Sequence, residues 1–201
     1  MKSFKCILIL IFIPVAMFSK DTVYLNKNDI DHYYFPLAIK TNLVYAAAIT
    51  PNLALEFLFK DIYSLELSAT YNIWDLEDNK KWKNLQLMAE MRFWVKDNTK
   101  GHFLGAHLGF VKYNFGAISL PYYTEAFYYR YDGWSAGIGI AYGYKFNIYK
   151  NWSFEATAGI GVVYSDYDKY LHPVCGAYWG SYSSILLMPT KLGLSLIYNI
   201  K

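Results

Sequence analysis

The sequence predicts an all-β chain, an eight-stranded antiparallel up-and-down transmembrane β-barrel, and three observations carry that expectation. After residue 35, apolar and polar residues alternate with period two in one segment after another, so each reads as a strand with one apolar and one polar face. The charges within those segments fall opposite the apolar stripe, as a membrane strand requires, since Arg or Lys facing lipid at the midplane costs about 2–4 kcal/mol. Short polar turns at 60–62, 97–101 and 148–151 alternate with longer connections, the layout of periplasmic turns and outer loops in an outer-membrane barrel. A soluble lipocalin-like barrel is the competing fold. It would turn the apolar face inward around a ligand and leave the charged face in water.

The chain opens with Lys2 and Lys5, an apolar run from Ile7 to Phe18 broken by Pro14, and then Ser19, Lys20 and Asp21. A basic start, an apolar stretch too short to span a bilayer and a small residue before a polar segment describe a signal peptide over 1–19. Cys6 precedes the apolar run, so the lipoprotein arrangement is not met. Cys175 is then the one cysteine left, and no intrachain disulfide is expected. Losing Lys2 and Lys5 brings the formal charge of +3 close to neutral, which excludes the basic footprint of a nucleic-acid binder. Aromatic residues make up 20% of the chain against 17% charged, a surplus easier to place in two aromatic girdles than in one soluble core.

Residues 20–35, polar and aromatic without a clear period, are expected as a periplasmic lead segment, and 36–201 as the barrel. Strand one is predicted over 36–47, with Leu37, Ile39, Leu43 and Tyr45 outward and Lys40 and Asn42 inward. Strand two (52–60) turns Glu56 inward, and strand three (63–73) does the same with Glu66, Ser68 and Thr70. Only the outer connection between strands one and two, near Thr50 and Pro51, is unexpectedly short. After a polar loop at 74–81, strand four (82–96) sets Leu85, Leu87, Met91 and Phe93 against inward Gln86, Glu90 and Arg92. Strand five (102–113) sets Leu104, Leu108 and Phe110 against Gly105, His107 and Gly109. A long loop is expected over 114–132, around Pro121. Strand six (133–147) has the cleanest alternation, with Gly137, Gly139 and Gly143 on the inward face, where a crowded interior leaves little room. Strand seven (152–164) turns Glu155, Thr157 and Gly159 inward. A second long loop is expected over 165–184. Strand eight ends the chain, with Leu192, Leu194, Leu196 and Tyr198 outside and Lys191, Gly193, Ser195 and Asn199 inside. Lys112 is the single charge on an apolar face, at a strand end from which it can snorkel.

The stretch KTNLVYAAAITPNLALE at 40–56, with YNIW at 71–74, resembles the opening of an uncharacterised outer-membrane barrel family of gut and oral anaerobic bacteria, a domain of unknown function. The resemblance is specific over 37–74 and weaker beyond. It implies an outer-membrane location and, in some genomes, proximity to fimbrial genes. It brings no assigned activity and no catalytic residues.

The inward charges Lys40, Glu56, Glu66, Glu90, Arg92, His107, Lys145, Glu155 and Lys191 form either the lining of a narrow solute pore or a plug. An eight-stranded interior is just wide enough for side chains, and unpaired buried charges are costly, so a closed, salt-bridged interior is expected. His107 with Glu90 and a serine could make a hydrolytic triad, as in a lipid-modifying outer-membrane enzyme. That chemistry must meet lipid, however, and the register points His107 inward, so no catalytic residue is expected. His32, His102 and His172 have no metal-ligand spacing, and neither metal nor cofactor is expected. The aromatic loops hold Tyr122, Tyr123, Phe127, Tyr128, Tyr129 and Tyr131 around Arg130, with Tyr178 and Trp179 in the last loop. Aromatic and Arg residues are the usual anchors of a binding surface, while the alternative is that these side chains extend the outer girdle or pack the loops upon one another. A surface ligand would be sought there, and an envelope or fimbrial protein is what the family resemblance implies. The remaining partner is outer-membrane lipid, and the expected role is non-enzymatic, structural or surface-binding.

Overall fold

The computed structural model describes residues 37–59, 62–75, 81–96, 100–116, 129–171 and 176–200. The expected signal peptide and lead segment, Cys175, and the loop aromatics Tyr122, Tyr123, Phe127 and Tyr128 lie outside the described residues. The strands are β1 (Leu37–Asn42), β2 (Asn52–Phe59), β3 (Tyr63–Asp75), β4 (Lys81–Trp94), β5 (Gly101–Gly116), β6 (Tyr129–Tyr149), β7 (Trp152–Leu171) and β8 (Tyr178–Ile200), with one short helix, α1 (Leu43–Ala47). Each strand pairs antiparallel with its sequence neighbours, and β1 closes on β8, giving an up-and-down barrel. One end carries the short turns. The tightest joins Tyr149 to Trp152, where Lys150 takes the left-handed backbone (φ 44°) that a two-residue hairpin demands.

Three boundaries differ from expectation. The first strand stops at Asn42, and 43–47 is helical rather than extended. The reason is local: the alanine-rich run favours helix, and the Asn42 side chain caps it by accepting the Val44 N–H at 3.0 Å. Tyr45 therefore turns inward instead of outward, is buried, and donates to Gln86 Oε1 at 2.9 Å. The connection that looks too short at Thr50 and Pro51 thus begins at Leu43. Strand reaches into both loops expected over 114–132 and 165–184, taking in residues 114–116, 129–132, 165–171 and 178–184. β5 runs to Gly116, β6 starts at Tyr129, β7 runs to Leu171 and β8 starts at Tyr178. The run from Ser165 to Tyr170 reads as loop because polar residues and tyrosines fill both faces, Ser165, Tyr167 and Lys169 inward and Asp166, Asp168 and Tyr170 outward. The ladder nevertheless continues through Asp132↔Asp168 and Asp168↔Ser181. Lys112 does face outward and is exposed, but it lies within β5, opposite Leu85 and Trp134, rather than at its end.

The barrel interior is layered. At the short-turn end Ala38, Leu58, Trp94, Phe103 and Ile197 pack together, with the Trp94 and Phe103 rings 4.8 Å apart. The charged residues fill the middle. Toward the other end come Ser135 and Ser165, hydrogen-bonded at 2.8 Å, and then a cluster of Met88, Val111, Tyr113, Tyr131, Val163, Tyr167 and Met188. The outside reverses this order. Leu67, Leu87, Leu108, Ile138, Ile140 and Leu187 form an exposed aliphatic belt, with Ile138 69% exposed. Tyr142, Tyr144, Phe146, Trp152 and Tyr198 border it on the short-turn side, and Tyr71, Phe110, Trp134 and Tyr164 on the other.

A bulge in β8 makes the interior fit. Gly159 pairs with Lys191 and Ile160 with Pro189, so Thr190 has no opposite number and both Thr190 and Lys191 point inward. Pro189, which lacks an N–H, is tolerated at such a bulge. Gly139 is packed as tightly as its inward position implies. A Cβ there would lie 2.6 Å from His107 Nε2 and 2.6 Å from the Ile160 carbonyl oxygen, which belongs to the backbone and cannot give way. Gly139→Ala is expected to cost about 1–3 kcal/mol by overpacking. Ala106→Val, on the exposed outer face, should stay within about 0.5 kcal/mol of the parent. Denaturant titrations followed by tryptophan fluorescence check the pair.

Candidate functional site

The interior charges converge on Arg92. Its guanidinium meets Glu66 Oε2 at 2.7 Å and Glu56 Oε2 at 3.0 Å, bonds Glu90 through Nε, and reaches Glu155 Oε2 at 3.6 Å. Its flat face lies over the Phe103 ring, 4.5 Å from the centroid. Lys40 pairs with Glu56 and with Glu66, the latter at 3.0 Å. Lys191 pairs with Glu90 at 2.6 Å and Glu66 at 3.5 Å. Lys145 is wholly buried opposite Glu155 in register. The nine charged or titratable residues expected inside are all buried, and every strand supplies at least one of them. Glu56, Glu66, Glu90 and Glu155 stand against Lys40, Arg92, Lys145 and Lys191, so the cluster neutralises itself while His107 is neutral.

His107 bridges this cluster to β8. Its Nδ1 lies 3.4 Å from Glu90 Oε2 and its Nε2 is 2.8 Å from Thr190 Oγ1. The order hydroxyl, imidazole, carboxylate is that of a hydrolytic triad, with a threonine where a serine is expected. Sequence reasoning misses Thr190 because only the bulge turns it inward beside Lys191; Pro189 within an alternating run is the signal that could have found it. What the arrangement offers chemically is limited by space. His107 and Thr190 are buried, Gly139 is pressed against the imidazole, and Glu90 is already engaged by Arg92 and Lys191. Among the described residues no group of three or more His, Cys, Asp or Glu is arranged to hold a metal.

The second candidate region is the end opposite the short turns, where β6, β7 and β8 rise past the aromatic border at Trp134 and Tyr164. Tyr129, Arg130, Tyr131, Tyr178 and Trp179 sit there on strands rather than loops. They divide by face. Tyr131 is buried edge-on against Tyr167, and Tyr167 stacks on Tyr182. Lys169 lies 3.7 Å from the Tyr129 ring centroid, and Trp179 approaches the same ring edge-on. On the outer face Arg130 covers Tyr170 at 4.6 Å, beside Asp132, Asp166 and Asp168. Tyr178, Trp179 and Tyr182 remain exposed. The carboxylates and Lys169 are missed as site residues by sequence reading. The signal for them is the unbroken period-two order through 165–170.

No curated protein and no solved structure matches the chain. A family model described as a protein of unknown function, DUF3575, matches residues 9–200, a range that takes in all eight strands, the buried charge cluster and the aromatic extension of β6–β8. The chain belongs to the DUF3575 family.

Proposed function

We propose that this is an outer-membrane β-barrel with a sealed, salt-bridged interior, acting as a structural or surface-binding element at its outer rim rather than as a solute pore or an enzyme. The observation that carries the reading is the inversion of its two faces: aliphatic belt and aromatic borders outside, neutralised charges inside. A lipocalin-like soluble barrel needs the opposite arrangement. The spacing supports lipid as the medium. From Trp134 to Tyr142 on β6, at about 3.4 Å per residue along a strand tilted by about 40°, the belt is roughly 20 Å tall, close to the ~25 Å apolar band of such barrels.

Against conduction stands the filling of the lumen by Trp94 and Phe103, then by Arg92 and its carboxylates, then by the methionine and tyrosine layer. Against lipid chemistry stands the burial of His107 and Thr190 away from the lipid-facing side. With 178–184 lying beyond the belt, the outer rim is where an envelope or fimbrial protein, the partner the family resemblance implies, would be met.

In intact cells, with Cys175→Ser as background, Trp179→Cys is expected to react with a membrane-impermeant maleimide. Ile138→Cys and Ile140→Cys should stay protected until the protein is unfolded. Labelling at 138 and 140 in the folded state sinks the membrane reading. In planar bilayers the purified protein should give no stepwise conductance, and a regular unitary step would replace the sealed interior with a pore. Arg92→Ala strips the shared cation from its carboxylates and is expected to cost about 3–5 kcal/mol or to prevent folding. Lys112→Ala, on the exposed face, should change stability by less than about 0.5 kcal/mol. Urea titrations in detergent compare the two.

A further inference from the structure

β1 pairs with β8 only from Leu37↔Ile200 to Asn42↔Ser195. Beyond Ser195 the same side of β8 has no strand partner among the described residues, and α1 packs alongside in place of a strand. On its other side β8 stays paired to β7 up to Tyr170↔Tyr178. One row of backbone N–H and C=O groups along upper β8 therefore has no strand partner among the described residues. Proteins guard such edges with lysine, proline or inward charge. From Gly180 to Met188 the sequence GSYSSILLM has none of these, and the first guard is Pro189.

Resting on the surface-binding reading above, we propose that the edge of β8 over 180–184 is a strand-addition site. It would take an extended segment of another protein with basic residues alternating with apolar ones. The backbone row dictates that the guest is a strand, running antiparallel to β8 as the whole sheet does. The outer face dictates the charge. Ser181 lies opposite Asp168 and Ser183 opposite Asp166, and Asp168 in turn lies opposite Asp132. The serines are short, so a Lys or Arg on the added strand can reach across them to the carboxylates. Arg130, the cation on that face, is held over Tyr170, and Lys169 is on the other face over Tyr129. The inner face dictates the alternate positions. There the added strand flanks Tyr182, stacked on Tyr167, and Gly180, beside which an apolar side chain fits. A second copy of this chain is a poor guest. Copies sharing one membrane carry β8 in the same direction, so two such edges cannot form an antiparallel ladder.

The test uses the full-length folded protein in detergent micelles and a fluorescent peptide alternating Lys with Val, read by anisotropy. The Lys/Val peptide should bind, with its Glu/Val counterpart and a version N-methylated on the residues facing β8 each weaker by about tenfold or more, since several backbone bonds or charge pairs are lost. Asp166→Asn with Asp168→Asn should weaken the Lys/Val peptide several-fold and leave folding intact. Ser181→Pro and Tyr182→Pro direct the lost N–H to opposite sides of β8. Whichever of the two keeps its heat-modifiable folded mobility should lose peptide binding. Equal binding of all peptides, or no binding, overturns the proposal. So does self-association abolished by that same proline, which makes a second copy the guest. If Trp179→Cys is labelled on cells while no peptide binds, strand addition falls and the surface reading stands; if it is not labelled, the surface reading itself falls.

Discussion

Arg92 is buried at the centre of a lumen with room for side chains and little else, and its four carboxylates come from β2, β3, β4 and β7. That guanidinium is the point on which the rest of the barrel depends. With Lys40 on β1, His107 on β5, Lys145 on β6 and Lys191 on β8, every strand contributes to one neutral cluster. Such a cluster is a poor source of net stability, because the desolvation of its members offsets most of their attraction. What it specifies is register. A slip of one residue in any strand would send its charge to the belt and an aliphatic side chain into the cluster. Closure and register are therefore one constraint, since the ring can shut only where eight strands bring their charges to the same height.

That constraint also explains how much the amino-acid order discloses. The faces of β3, β4, β5 and lower β6 to β8 are legible because charged and apolar residues alternate there with few exceptions, as the membrane reading proposed above requires. Lys112 on β5 and Lys83 on β4 depart from it, Lys112 beside Trp134 and Lys83 beside Ile73. The upper parts of β6 to β8 are harder to read because Asp166 and Asp168 face outward there, opposite the charge pattern of the lower strands. Alternation survives there, but between tyrosine and aspartate rather than between leucine and glutamate. Thr190 is illegible for a different reason. Pairing of side chains across 83 positions in sequence depends on a bulge, which shifts parity by one and leaves no trace in composition beyond Pro189. Tyr45 shows local propensity overriding a good strand pattern: capping by Asn42 and the following alanines take the chain into a helical turn.

The two departures from a regular barrel are coupled. A β1 that continued past Asn42 would pair with upper β8 and leave no edge. The turn into α1 removes that pairing and sends Tyr45 across the lumen to Gln86 instead, so the interior is filled from the side on which the wall is incomplete. Among the described residues the barrel is consequently closed as a ring along β1 and open as a sheet along β8 beyond Ser195. At the short-turn end, six pairs between β1 and β8 shut the ring. On the membrane reading proposed above, water can satisfy the part of the β8 edge that lies beyond the belt, where residues 180–184 stand. On the readings proposed above, a filled interior and an upper β8 edge with no strand partner among the described residues belong to the same design. The charges fix the strands that must not move, and the length of β8 beyond them is the backbone surface that the proposed guest strand would complete.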